Sequence, residues 1–228
     1  MLRPFVPAFI RFVALGYAVA SLTAIASAQS ATGIAPTFGS TIPMRLTVDT
    51  SDVERGYVHV KERIAVKPGR LTLAYPKWIP GEHQPSGPLG NVATLEMRAN
   101  GARLAWTRDP VELYSFLVDV PAGATTLDVT FDYLAANSGN YSSARLATPN
   151  MLTITWNKLL IYPLVDDVAT IEVMPTLVLP GANYEYGTAL TTTRRTGATV
   201  DFAPAQLNVL VDSPLDAGTN VKRVRRYA

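Results

Sequence analysis

Leu127, Val129, Phe131 and Tyr133 alternate with Asp128, Thr130 and Asp132. Side chains two apart on an extended chain share a face, so this run is a strand with one dry side and one wet side. The same period returns at Met44, Leu46 and Val48, set against Arg45, Thr47 and Asp49. It returns again at Val58, Val60, Ile64 and Val66, where Glu62 interrupts the apolar face. Further strands are predicted at 70–75, 92–99, 103–107, 113–118, 152–156, 159–162, 171–174, 200–202, 208–211 and 221–227. Turn signals separate the runs: Lys67-Pro68-Gly69, Asn100-Gly101, Pro121-Ala122-Gly123, Leu179-Pro180-Gly181 and Arg195-Thr196-Gly197. Asn100-Gly101 predicts a tight hairpin, because both residues tolerate positive φ. Past residue 28 no segment sustains a helical period over three turns. The pattern implies an all-β domain over residues 44–228, with antiparallel sheets packed as a β-sandwich or bent into a β-saddle.

The first residues differ in kind. Arg3 and Arg11 precede an apolar run from Phe12 to Ile25, and Ala26-Ser27-Ala28 follows. This is the pattern of a secretory signal peptide over residues 1–28, and the apolar run falls short of the ~20 residues that span a bilayer. The expected product is exported, periplasmic or secreted, with no membrane segment after cleavage. Residues 29–43 form a small-residue leader. The chain carries 20 Lys and Arg against 18 Asp and Glu, and removal of Arg3 and Arg11 leaves 18 against 18. A neutral body gives no reason to expect nucleic acid as a partner. There is no cysteine, which excludes a disulfide framework, a thiolate zinc site and a thiol nucleophile. The basic, strand-like pattern of Lys222, Arg223, Arg225 and Arg226 predicts that more protein followed Ala228.

The stretch from Tyr75 to Asn91 holds Pro76, Pro80, Pro85 and Pro88 together with Gly81, Gly87 and Gly90. Four fixed φ angles exclude it from a sheet interior and pre-organise it as a surface loop. Such rigidity serves ligand binding and plain stability alike. Trp78, Glu82 and His83 are its candidate substrate-binding residues, with Trp78 expected to dock at the rim of the core. Motifs of complete enzymes are missing: no H-E-x-x-H, no G-x-S-x-G, no phosphate-binding loop and no dinucleotide fingerprint. Two histidines, His59 and His83, are too few for the usual three-ligand zinc site, so no metal is expected in this chain. Trp78, Trp106 and Trp156 invite a sugar-stacking platform, although Trp in a β domain is more often core. Asn140-Tyr141-Ser142 matches a glycosylation sequon.

Three stretches carry a family resemblance. Tyr75-Pro76-Lys77-Trp78-Ile79-Pro80-Gly81-Glu82-His83, Trp156-Asn157-Lys158-Leu159-Leu160-Ile161-Tyr162-Pro163 and Leu210-Val211-Asp212-Ser213-Pro214-Leu215-Asp216-Ala217-Gly218 occur in the order seen in the glycyl aminopeptidase family. The similarity runs from about Met44 to Tyr227. Those proteins are exported, PDZ-containing zinc metallopeptidases. The resemblance implies that this chain is the non-catalytic N-terminal β domain, predicted inactive by itself. Its partner is then a catalytic metallopeptidase domain, in cis or in trans, which holds the zinc and hydrolyses peptides. Glu82 becomes a group that meets the free amino terminus of a peptide, and the Trp78–His83 loop a wall of the cleft. Without the resemblance, the same residues suit a free-standing exported β-sandwich that binds a peptide or a glycan.

Overall fold

The computed structural model describes residues 42–79, 81–135, 147–148 and 150–222. The signal and most of the leader (residues 1–41), the sequon, Pro80 and most of the strand predicted at 221–227 lie outside them. Strands follow one another from the start: β1 (Met44–Asp49), β2 (Tyr57–Ala65), β3 (Gly69–Ala74), β4 (Val92–Ala99), β5 (Ala102–Leu104), β6 (Trp106–Arg108), β7 (Ser115–Val120) and β8 (Thr126–Leu134). The second half adds β9 (Ala147–Thr148), β10 (Met151–Ile154), β11 (Tyr162–Pro163), β12 (Glu172–Val178), β13 (Glu185–Thr188), β14 (Thr192–Thr196), β15 (Thr199–Phe202), β16 (Ala205–Gln206) and β17 (Leu215–Gly218).

They form three sheets. The largest runs β14-β15-β12-β1-β2-β8-β4-β5, with β16 also on β12. The others run β13-β17-β10-β9 and β11-β3-β7-β6. The all-β expectation is borne out, but the sheets are not purely antiparallel. β1 and β12 run parallel, from Met44 opposite Val173 to Asp49 opposite Val178. A parallel pair needs a long crossover, and here the chain between them builds the β11-β3-β7-β6 sheet, while the other small sheet takes β13 and β17 from beyond β12. The Asn100-Gly101 hairpin forms as predicted, with φ of 50° and 77° and Ala99 opposite Ala102.

The core follows the period of two. Met44, Leu46 and Val48 of β1, Val58, Val60 and Ile64 of β2, and Leu127, Val129, Phe131 and Tyr133 of β8 are all buried. Each large aliphatic side chain so placed contributes roughly 1.5–3 kcal/mol. The sheet that holds β13 meets the large one through aromatics. Trp156 stands edge-on to Phe202 of β15, and Phe202 edge-on to Tyr186 of β13, each at 6.1 Å between ring centres.

Two predicted strands are something else. Residues 208–211 belong to the helix α1 (Leu207–Val211), where Leu207 and Leu210, three apart, are both buried. Residues 159–162 are strand only at Tyr162. Leu159, Leu160 and Ile161 are all buried, so the segment has no wet face to alternate with. No helix among the described residues is long and apolar enough to cross a membrane.

Candidate functional site

The segment from Trp156 to Pro163 is a knot of side-chain bonds. It begins as a 3₁₀ turn, Trp156–Lys158, and then runs irregularly. Irregular buried backbone must find partners outside a ladder. The Tyr75 hydroxyl donates to the Lys158 carbonyl at 2.9 Å. The Trp156 indole N–H donates to the Ser213 carbonyl at 2.9 Å. The Ile161 N–H donates to Glu62 Oε1 at 2.7 Å. Tyr162 and Pro163 pair with Ala74 and Leu73, while Ile154 pairs with Leu215. The three separated sequence stretches therefore meet at one place, with 156–163 in the middle.

Burial alters the titration of this knot. Glu62 is 3% exposed, and burial pushes its carboxyl well above the ordinary range against the Ile161 N–H, which favours the anion. Burial also raises the Tyr75 hydroxyl. Lys158, 5% exposed, has its ammonium pulled down by burial, and the nearby Glu82 charge opposes the shift.

The proline-rich loop lies beside the knot and is strapped to the turn between β6 and β7. Lys77 pairs with Glu112 at 2.5 Å and lies over the Tyr114 ring. The Tyr114 hydroxyl donates to the carbonyls of Pro85 and Gly87. Gly81 takes a φ of +84°, as a turn glycine does. Gly87 is needed for another reason: a Cβ there would stand 2.0 Å from the Pro76 carbonyl oxygen.

Of the candidate substrate-binding residues, Trp78 does not dock into the core rim. It is 61% exposed, because Tyr75, Pro76 and Ile79 turn inward in its place. Glu82 is half-buried and His83 exposed. The three Trp residues form no platform: Trp156 is sealed, and Trp106 packs edge-on against Phe116. Sequence reasoning missed Lys158 and Asn157, both buried, the first with its carbonyl bonded to Tyr75. Its one available signal was a lysine and an asparagine inside an otherwise apolar run.

His59 is on the wet face of the large sheet, between Asp132 at 2.6 Å and Asp52 at 3.3 Å. The Asp132 bond leads the effects that raise the imidazole above its ordinary value. Thr94 donates to the far oxygen of Asp132. Among the described residues no group of three or more His, Asp or Glu side chains is placed to hold a metal ion.

A mixed, mostly antiparallel β domain with its three signature stretches knotted around 156–163 defines the class. The profile of the Peptidase M61 N-terminal domain matches residues 45–219, and the chain belongs to that family. In fold it is similar to an aminopeptidase N family protein of Idiomarina loihiensis, with a TM-score of 0.63 at 13% identity. That likeness covers 77% of this chain and 29% of the other. Looser likenesses are to Legionella pneumophila aminopeptidase A (TM-score 0.45, 12% identity, 78% of this chain and 21% of that one) and a Deinococcus radiodurans M1 zinc metallopeptidase (0.39, 17%, 77% and 41%). The chain thus spans well under half the length of these structures. No curated protein matches it.

Proposed function

We propose that this chain serves an exported zinc aminopeptidase as its N-terminal domain, packing against a catalytic domain that binds the metal and cleaves peptides. The observation that carries the reading is the convergence of the three motif stretches, together with the family match over residues 45–219. The domain supplies structure rather than chemistry. Its strapped loop, with Trp78 and His83 outward and Glu82 half-buried, forms a wall of the substrate cleft. The Glu82 carboxylate meets the ammonium of the peptide's first residue, a charge-assisted contact. The signal over residues 1–28 directs export, and residues 29–43 link it to the domain.

The purified chain, offered alanyl and glycyl anilides, is expected to give no turnover with or without added zinc. Hydrolysis that a chelator abolishes would place a complete metal site in this chain and end the reading.

A further inference from the structure

The wet face of the large sheet is laid out in rows. Residues directly opposite on neighbouring strands share a face with Cβ atoms about 5 Å apart, and the next row lies about 7 Å along. One row sets Asp49, His59 and Asp132 side by side on β1, β2 and β8. The middle row sets Thr47, Lys61 and Thr130, and the third sets Arg45, Arg63 and Asp128. Every row has a basic side chain on β2. In the outer two, β8 supplies its carboxylate: Asp132 meets His59 and Asp128 meets Arg63, each at 2.6 Å. In the middle row Thr130 stands where an acid would. Farther along that row, Glu96 of β4 is taken by Arg98 and Arg103, and Asp201 of β15 by Arg194. Among the described residues, no ion pair or side-chain hydrogen bond holds Lys61 or Arg45. Arg45 also stands directly opposite Arg63, where like charges repel. The Thr47 and Thr130 hydroxyls are likewise unbonded.

These groups line one hollow of about 320 Å³, formed by Arg45, Thr47, Lys61, Arg63, Asp128 and Thr130. Glu62 borders it too, but its carboxyl turns to the dry face and bonds Ile161. The volume is at the small end of ligand pockets, which run from roughly 300 to 1,000 Å³. Lys61 also borders a second hollow of about 300 Å³, shared with Asp49, His59 and Asp132. The carboxylates there repel an anion, so the first hollow is where one can sit. Arg45, Lys61 and Arg63 against Asp128 leave two positive charges uncompensated. A dianion matches that count, and a guanidinium fork meets phosphate oxygens two at a time.

We propose that this hollow binds a dianionic phosphate group. Arg45 and Lys61 clamp its charge, and the Thr47 and Thr130 hydroxyls donate to its oxygens. The same chemistry is offered by free phosphate and by the headgroup of an acidic phospholipid. Binding here draws on no residue of the proline-rich loop, so it stands or falls apart from the peptidase reading.

The probe is inorganic phosphate at about pH 8, where it is a dianion. It is titrated at constant ionic strength into the isotopically labelled chain while amide signals are followed by NMR, since salt screens exposed charges. Signals of residues 45–47, 61–63 and 128–130 are expected to shift together and saturate. Acetate, a monoanion, is expected to bind about tenfold more weakly. Arg45→Gln and Lys61→Gln are each expected to weaken phosphate about tenfold, the loss of one charge-assisted bond. Arg70→Gln, on β3 of another sheet, is expected to change nothing. If one hollow variant does not fold, the other carries the test. Sedimentation with vesicles of phosphatidylcholine and phosphatidic acid separates the two sources. Vesicles that carry down the wild type but not Arg45→Gln name the lipid headgroup, and phosphate binding without sedimentation names the free ion. No saturable shift in the wild type, acetate binding as tight as phosphate, or unchanged affinity in the hollow variants overturns the proposal. So does an equal loss in Arg70→Gln.

Discussion

Glu62 is the residue whose chemistry departs furthest from its surroundings. It lies on the dry face of β2 between Val60 and Ile64, opposite Leu46 and Val129. One oxygen accepts from Ile161, and the other is buried without a partner. Since burial raises the folded-state value above the ordinary 4.5, the native chain binds a proton that the unfolded chain releases first. The stability this contributes is fully present below 4.5 and is lost as pH rises through the folded value. Glu62→Gln keeps the acceptor for Ile161 and does not ionise. The variant is expected to gain on the wild type as pH rises above the ordinary value, by about 1.4 kcal/mol per pH unit until the folded value is passed. Urea midpoints of both proteins between pH 4 and pH 8 measure this. A difference that stays constant across that range would mean that Glu62 does not titrate on unfolding.

At the scale of the element, the proline-rich loop shows how rigidity is divided between backbone and side chain. Gly87 passes so close to the Pro76 carbonyl that a methyl group cannot fit. Gly87→Ala is therefore expected to destabilise by about 1–3 kcal/mol, since backbone must move. Trp78→Ala, at an exposed site, is expected to stay within about 0.5 kcal/mol of the wild type. Thermal melts of the two variants check the contrast, and a Trp78→Ala loss as large as that of Gly87→Ala would return Trp78 to the core rim. The contrast also shows what the sequence can reveal. Period-two strands such as β1 and β8, and the Asn100-Gly101 hairpin, were legible because their causes lie within a few residues. The inward turn of Tyr75 and Ile79 instead of Trp78 was not, because a bond to Lys158, 83 residues away, helps decide it. Segment 159–161 and α1 misled for a related reason: short apolar runs look alike whether their backbone is extended, irregular or helical. The candidate site was half legible. Glu82 stood in a conspicuous loop, whereas Lys158 and Asn157 gain meaning from their burial in the folded domain.

For the whole molecule, charge and compartment join the fold to its proposed role. The described domain supplies its own core, so it needs no disulfide to survive outside the cytoplasm, and the chain has no cysteine to form one. The excess positive charge comes from Arg3 and Arg11, which precede the apolar run of the proposed signal. Produced in a bacterium with residues 1–28 in place, the chain is expected to be found outside the cytoplasm and to begin at Gln29. Its isoelectric point is then expected to fall from the 8.9 of the full sequence towards neutrality, because 18 basic residues face 18 acidic ones. Intact mass and isoelectric focusing of the recovered protein measure both quantities. Recovery of the uncut chain from the cytoplasm would contradict export. It would leave the bonds of the knot around 156–163 untouched, since the partners described there, Tyr75, Ser213 and Glu62, all lie in the domain.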